Sequence, residues 1–341
     1  FAIVVTNQPV VARNLCSLEE LDDIHKRLET KLGEKGAWLD AIEFCPHHPD
    51  GGFPEENKEF KIDCNCRKPK TGMIDRVVKR FNIQKDASWI IGDSWRDIEC
   101  GQRAGLRTVG VRTGYACKDV KRPPDYMFDD LYEAVHFITE NPYKKYYPGI
   151  ISKLELESRN PSLILIAGQS RSGKTIFSQW LKDQLIHDGK KTLKIDLDQW
   201  LIPASEREEF MNVYDRYRLE KLRSDVEKIL SGKRIQLPGY NTVTRERSEH
   251  PLSLSLDNND CLILDGVVAL HDNFLLGRAA LCIVVHSPLE LLRKRFESFY
   301  AWKGMTSSDI NLLWDQRQVD EQRLVEKDFF AADIVVDCPI S

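Results

Sequence analysis

Eight residues, GQSRSGKT at 168 to 175, match the pattern G-x-x-x-x-G-K-[ST], and they follow the apolar run SLILIA and open a helix-like stretch. Each part of that pattern serves a phosphate. Glycines let backbone N–H groups curl around phosphate oxygens, and the helix N-terminus adds positive potential. Lys174 reaches the β- and γ-phosphates, and Thr175 offers its hydroxyl to Mg2+. The whole loop (Gly168, Gln169, Ser170, Arg171, Ser172, Gly173, Lys174, Thr175) is therefore expected to hold the phosphates of a nucleotide such as ATP. Further on, KIDLDQWLIP puts Asp196 and Asp198 at the carboxyl end of the next strand, the edge where open α/β sheets bind ligands. A carboxylate there accepts the proton of an acceptor hydroxyl or helps hold Mg2+. The plainer alternative is that one of the two caps a helix.

A second group lies in the first half. Cys45, His47, Cys64 and Cys66 supply three sulfurs and one nitrogen, a set suited to a closed, tetrahedral, structural Zn2+ site. The loop between the pairs is rich in Pro, Gly and charge, so a metal would pin a segment with little core of its own. Unrelated cysteines are the alternative. IIGDSWRDIE places Asp93 and Asp97 just beyond a strand, where paired acids suit Mg2+.

The elements that must position these groups alternate. FAIVV at the start reads as a buried parallel strand, and Ser17 with Glu20 forms a capping box that opens a helix with apolar positions Leu18, Leu21, Ile24, Leu28 and Leu32. A helix is expected over about 72 to 81, and strands at WIIGD and RTVGV. Between 139 and 161 three prolines, tyrosines and charges break the period, which marks a connection. Strands SLILIAG, TLKID, CLILD and LCIVVH follow, and then a charged helical stretch. Alternation of this kind predicts α/β layers with parallel sheets, here two Rossmann-like three-layer domains.

The run from Gly168 onward resembles the family of uridine kinase, phosphoribulokinase and bacterial pantothenate kinase, over nearly all of 161 to 341. The resemblance implies a P-loop kinase fold with Asp198, in DQWL, as base and Asp196 as its neighbour near the acceptor. LPGYNTVTRERSEHP resembles the acceptor-lining segment, with Tyr240, Arg245 and Arg247 as contacts. Asp265-Gly266 stands where many members carry a Glu-Gly pair that serves Mg2+, and LELLRKRFESFYAWKG resembles the lid, with Arg293 and Arg295 meeting the transferring phosphoryl group.

CPHHPDGG, CNCRKPKTGM and IIGDSWRDIECGQRAG, over about 1 to 138, resemble the haloacid dehalogenase phosphatases of the zinc-loop branch, which holds histidinol-phosphate and D-glycero-D-manno-heptose 1,7-bisphosphate phosphatases. CPHHPDGG followed by CRKP favours the heptose side. The resemblance implies that Thr6 and Asn7 bond the phosphoryl group, that Arg67 and Lys68 neutralise it, and that Asp93 holds Mg2+ with Asp97 in support. In that family a strand ahead of this one carries a D-x-D pair whose first Asp attacks phosphorus. The only D-x-D at a strand end here is Asp196-Leu-Asp198, so the phosphatase is expected to be inactive in this fragment, either truncated or with its catalysis lost.

With 341 residues, 42% hydrophobic and 30% charged, the chain has material for two cores. No apolar run approaches the ~20 residues that cross a bilayer. A net charge of -4 without a basic stripe argues against a nucleic-acid partner. Nine cysteines without a signal peptide point to a reducing, cytoplasmic compartment. The expected organisation is a phosphatase-like domain over 1–140, a linker over 141–160 and a kinase over 161–341, using ATP, Mg2+ and Zn2+ on a phosphorylated sugar or nucleoside-type substrate. A polynucleotide kinase-phosphatase and a non-catalytic ATP-binding regulatory module are the rival readings.

Overall fold

The structure is a computed structural model. It describes all residues except 51–55, 119, 121, 158–160, 209–210, 238, 242–245, 248–251, 257–259 and 339–341, and the side chains of 241, 246, 252, 322 and 323. The chain divides into two compact units, Phe1–Ala134 and Val135–Ser341. Among the described residues no helix is long and apolar enough to cross a membrane.

In the first unit β1 (Ile3–Asn7) leads through α1 (Leu18–Gly33) to β2 (Ala41–Cys45), and the two strands pair in parallel. The capping box forms: Ser17 Oγ accepts from Glu20 N at 3.1 Å and Ser17 N donates to Glu20 Oε2 at 2.8 Å. Of the helix's five apolar positions only Leu21 is buried; Leu18, Ile24 and Leu28 remain exposed. Next come α2 (Gly72–Phe81), β3 (Trp89–Gly92), α3 (Trp95–Ala104), β4 (Arg107–Val111) and β5 (Tyr126–Phe128). The strands β3, β4 and β5 form a second parallel sheet. The parallel strands expected here are present in two sheets, and β1 is half-buried along its length rather than a core strand. The division between the units falls within α4 (Leu131–Glu140).

The stretch 141–160, read as a linker for its prolines, instead carries α5 (Tyr147–Leu156). Pro148 sits in the first turn of that helix, where a missing N–H is harmless and the fixed φ suits helical backbone. Ile150 and Leu154, one turn apart, are buried, and the helix packs on β13 (Ala279–His286).

The second unit is built on one parallel sheet in the order β14-β13-β6-β12-β7. Its strands are β6 (Ser162–Ala167), β7 (Thr192–Asp196), β12 (Cys261–Asp265), β13 and β14 (Ile334–Asp337). SLILIA and CLILD are apolar almost without interruption because helices cover both faces of the sheet. The helices are α6 (Lys174–His187), α7 (Leu219–Leu230), α8 (Asn273–Leu276), α9 (Leu289–Trp302) and α10 (Ser307–Ala331). Short strands β8 (Ile235–Leu237) and β11 (Leu252–Leu254) pair with each other, as do β9 (Tyr240–Asn241) and β10 (Glu246–Arg247). The sheet order brings the carboxyl ends of β6, β12 and β7 side by side.

Candidate functional site

In the first unit, β2 ends on Cys45, and the segment before α2 returns Cys64 and Cys66 beside it. The Sγ atoms lie 3.5 Å (Cys45–Cys64), 3.2 Å (Cys66–Cys45) and 3.3 Å (Cys66–Cys64) apart. His47 Nδ1 is 3.6 Å from Cys45 Sγ and 3.4 Å from Cys66 Sγ. All four ligand atoms fall within 4.8 Å of one another. Metal–sulfur bonds of about 2.3 Å would put tetrahedral sulfurs about 3.7 Å apart, so the cluster fits one metal ion of that kind. Burial pushes the Cys45 and Cys66 thiols up and the His47 imidazole down. Without a cation, a buried thiolate at these positions is disfavoured.

Beside this cluster Arg67 donates to His47 O at 3.0 Å. Asn7 clamps the Lys68 peptide from both sides, accepting from Lys68 N at 2.9 Å and donating to Lys68 O at 3.2 Å. Lys68 Nζ meets Val5 O at 2.6 Å and Asp97 Oδ1 at 2.5 Å. Thr6 is half-buried next to Asn7 and stands opposite Phe44 in the sheet register. Asp97 also takes Ser94 N (3.1 Å) and Ser94 Oγ (2.6 Å) through its other oxygen. It is thus the counter-ion of Lys68 and a helix cap, and its carboxylate is already engaged where the sequence cast it as support for Mg2+. Asp93 accepts from Tyr115 N at 2.8 Å. Gly114, which sequence reasoning passed over, allows that contact: its φ is +61°, and a Cβ there would lie 1.9 Å from Asp93 Oδ2.

In the second unit the loop 168–175 joins β6 to α6. Gly173 has φ +94°, and a Cβ on it would come within 2.6 Å of Cys338 Sγ, so the bend needs glycine. Lys174 Nζ donates to Gln169 O at 2.8 Å, and burial pushes its pKa down. The Arg171 guanidinium stacks on Phe299 of α9. Arg295 approaches the loop too, donating to Arg171 O (3.4 Å) and Ser287 Oγ (3.2 Å). Arg293 does not: it bonds Glu297 at 2.5 Å and Asn311, beside Trp314. Residues two apart on a helix point about 200° apart, so the lid reading cannot hold for both.

Asp196 caps the 3-10 turn Leu197–Trp200, accepting from Asp198 N at 2.9 Å. The bland alternative thus describes one of the two acids. Asp198 accepts from Tyr217 OH at 3.4 Å, and burial raises its pKa while Lys174 and Arg317 counteract. Asp265 is buried at the neighbouring strand end, bonded by Ser178 Oγ at 3.0 Å and paired with Lys194 at 3.1 Å. Tyr240 donates its N–H to Gln199 Oε1 at 3.0 Å. Arg247 is exposed on β10, and Arg245 lies outside the described residues.

Two groups were missed. Glu321 of α10 accepts from Ser170 N and Ser170 Oγ, both at 2.8 Å, and Arg317 donates to Ser170 Oγ at 3.0 Å and pairs with Glu321. Burial works against ionising Glu321, but Arg317 and the Ser170 N–H outweigh it and hold the carboxyl below its ordinary value. Their signal was an Arg and a Glu four apart within a long charged helix, which reads as a solvated pair.

A family model described as HAD-hydrolase-like matches residues 65–134. The D-glycero-D-manno-heptose-1,7-bisphosphate 7-phosphatase of Chlorobaculum tepidum is 34% identical over 142 residues, 39% of this chain and 69% of the relative. Among solved structures, the D,D-heptose 1,7-bisphosphate phosphatase from B. bronchiseptica, complexed with magnesium and phosphate, is 28% identical over 41% of this chain and 74% of that one, with TM-score 0.35. A possible uridine kinase from Bacillus stearothermophilus is 17% identical over 55% of this chain and 100% of that one, with TM-score 0.39. Through its first unit the chain belongs to the haloacid dehalogenase-like family of the D-glycero-D-manno-heptose-1,7-bisphosphate 7-phosphatases.

Proposed function

We propose that the second unit is an ATP-dependent kinase that phosphorylates a hydroxyl of a small molecule, and that the first is a sugar-phosphate phosphatase module. The observation that carries the kinase reading is the convergence, at one sheet edge, of the loop 168–175, the half-buried Asp198 and the cations Lys174, Arg295 and Arg317. In the reaction the acceptor oxygen bonds to the γ-phosphorus, the bond to the β–γ bridging oxygen breaks, and ADP leaves with that electron pair. Asp198 takes the acceptor's proton, its raised pKa bringing it towards the range where a carboxylate is a useful base. Lys174 and Arg295 lie against negative charge on the phosphoryl group, and the Thr175 hydroxyl would hold Mg2+, which supplies charge neutralisation when bound. Asp265 supports this edge through Lys194 and Ser178.

In the first unit Thr6 and Lys68 would meet a substrate phosphate, with Asn7 holding the Lys68 backbone, and Asp93 would hold Mg2+. The four-residue cluster would bind Zn2+ in a structural role, its donor set and spacing matching that ion. The kinase reading is tested by ADP formation from Mg-ATP with a panel of nucleosides, pantothenate, ribulose 5-phosphate and heptose phosphates. One acceptor class should raise turnover well above the ATP-only background, and Lys174→Ala should remove that turnover by 10³-fold or more, on the order of 4 kcal/mol, with the fold intact. Undiminished turnover in that variant would refute the assignment.

A further inference from the structure

The described residues between Trp200 and Leu219 fold back as a flap. Ile202 N donates to Arg216 O and Arg218 N to Trp200 O, both at 2.9 Å, and Leu201 bridges Tyr217. Its base adjoins the reacting edge, since Tyr217 OH reaches Asp198. Two arginines of this flap are held in fixed positions. Arg207 donates through Nε to Ile202 O at 2.8 Å and through NH2 to Tyr240 OH at 2.9 Å, and Tyr240 is itself tied to Gln199, the residue after Asp198. Arg216 donates to Met211 O at 3.1 and 3.0 Å and lies 3.3 Å from Asp320 of α10. Arg317, one turn before Asp320 and Glu321 on that helix, is fixed on Ser170.

Three guanidiniums thus gather between the flap and the phosphate loop, in the company of three carboxylates, Asp198, Asp320 and Glu321. Arg216–Asp320 ties the flap to α10, while Arg317–Glu321 pairs within that helix and meets Ser170. Among the described residues no carboxylate pairs with Arg207. Burial lowers the Arg216 pKa, and the nearby Arg317 and Arg207 charges add to the effect. Crowding like charges in a half-buried place weakens the fold unless an anion enters.

Resting on the kinase reading, we propose that Arg207 and Arg216 form an anion seat for the acceptor, so that the molecule phosphorylated here already carries a phosphate group. Guanidiniums grip phosphate oxygens with paired N–H donors, and Arg207 is tied through Tyr240 and Gln199 to the strand end that carries Asp198. A neutral nucleoside would leave it unused.

The test fills the loop first with Mg2+ and a nonhydrolysable ATP analogue, then titrates matched pairs by calorimetry: ribulose 5-phosphate against ribulose, sedoheptulose 7-phosphate against sedoheptulose, with uridine and inorganic phosphate alongside. At least one phosphorylated sugar should bind tens of times more tightly than its neutral partner. Arg207→Gln and Arg216→Gln should each weaken that binding about 10- to 100-fold, and Arg216→Lys should restore part of it, while affinity for the analogue stays unchanged in all three. Neutral compounds binding as well as phosphorylated ones, anions binding both Gln variants undiminished, or loaded protein that binds none of the anions would each overturn the proposal. Failure of the analogue itself to bind would refute the kinase reading instead, and the same titrations without nucleotide still decide whether the arginine seat takes an anion.

Discussion

The second unit hangs its reactive edge on five parallel strands and one apolar cluster that runs from Leu163 on β6 through Val226 on α7 to Val284 on β13. Among the described residues the first unit also has five strands, but in separate pieces of two and three, and its described clusters are small: Ile74, Ile90, Cys100 and Ala104 in one, Cys45, Cys66 and Met73 in the other. Two cysteines of the candidate metal cluster are therefore themselves core residues. Where apolar packing is thin, metal–ligand bonds at this cluster would add cohesion that the small core lacks. The comparison breaks most visibly at the metal. Structural zinc contributes roughly 10 kcal/mol or more of apparent folding free energy in small domains. Cys64→Ser with Cys66→Ser, or a strong chelator, should unfold the first unit while the second keeps its cooperative transition, seen by calorimetry and by limited proteolysis. About one equivalent of zinc should be released per chain. A metal-free protein with both transitions unchanged would show that the cysteines pack without an ion.

The second way to sharpen the contrast is a core truncation on each side. Leu165 is fully buried at the centre of the large cluster, and Leu165→Ala should cost about 2–5 kcal/mol, lowering the denaturant midpoint of the second unit without splitting its transition. Ile74→Ala removes a comparable volume from a cluster with few other members, so the first unit should lose a larger share of its stability for a similar cost. Equal fractional losses in the two units would mean that the first is better packed than its clusters suggest.

What could be read from the sequence follows the same division. Strands covered on both faces, such as SLILIA, CLILD and RTVGV, stood out as short apolar runs, and the candidate phosphate loop and the four candidate metal ligands stood out because such chemistry fixes residue type and spacing together. Packing decided what was misread. The apolar stripe of α1 predicted burial, yet only Leu21 finds a cover. The prolines at 142 and 148 looked like breakers, but Pro148 starts a helix whose Ile150 and Leu154 reach the core. Arg317 and Glu321 were illegible because an (i, i+4) pair becomes part of a site only when tertiary structure lays that face against the loop at Ser170. Arg207 and Arg216, nine residues apart in a stretch without period, come near each other only because Ile202, which holds Arg207, pairs with Arg216 across the flap.

The smallest effect concerns a polar pair inside the larger core. Asp328 of α10 is fully buried and lies 2.9 Å from His271 Nε2, which also meets Leu324 O at 3.1 Å. The hydrogen bond to Asp328 raises the His271 pKa above its ordinary value of about 6.5. A group whose pKa is raised by folding adds stability below its unfolded value and loses it as pH climbs through the folded one. The second unit should therefore be more stable near pH 6 than at a pH above the raised value, with the loss spread across the interval between them. Asp328→Asn keeps the shape of the side chain but removes the charge, so it should flatten that slope while lowering stability at pH 6. An unchanged slope in Asp328→Asn would place the pH sensitivity elsewhere and leave the pair as packing. A flattened one would show that even the thickly packed unit relies on an ionic tie, between the end of α10 and the turn after β12, a small counterpart of the metal proposed for the first.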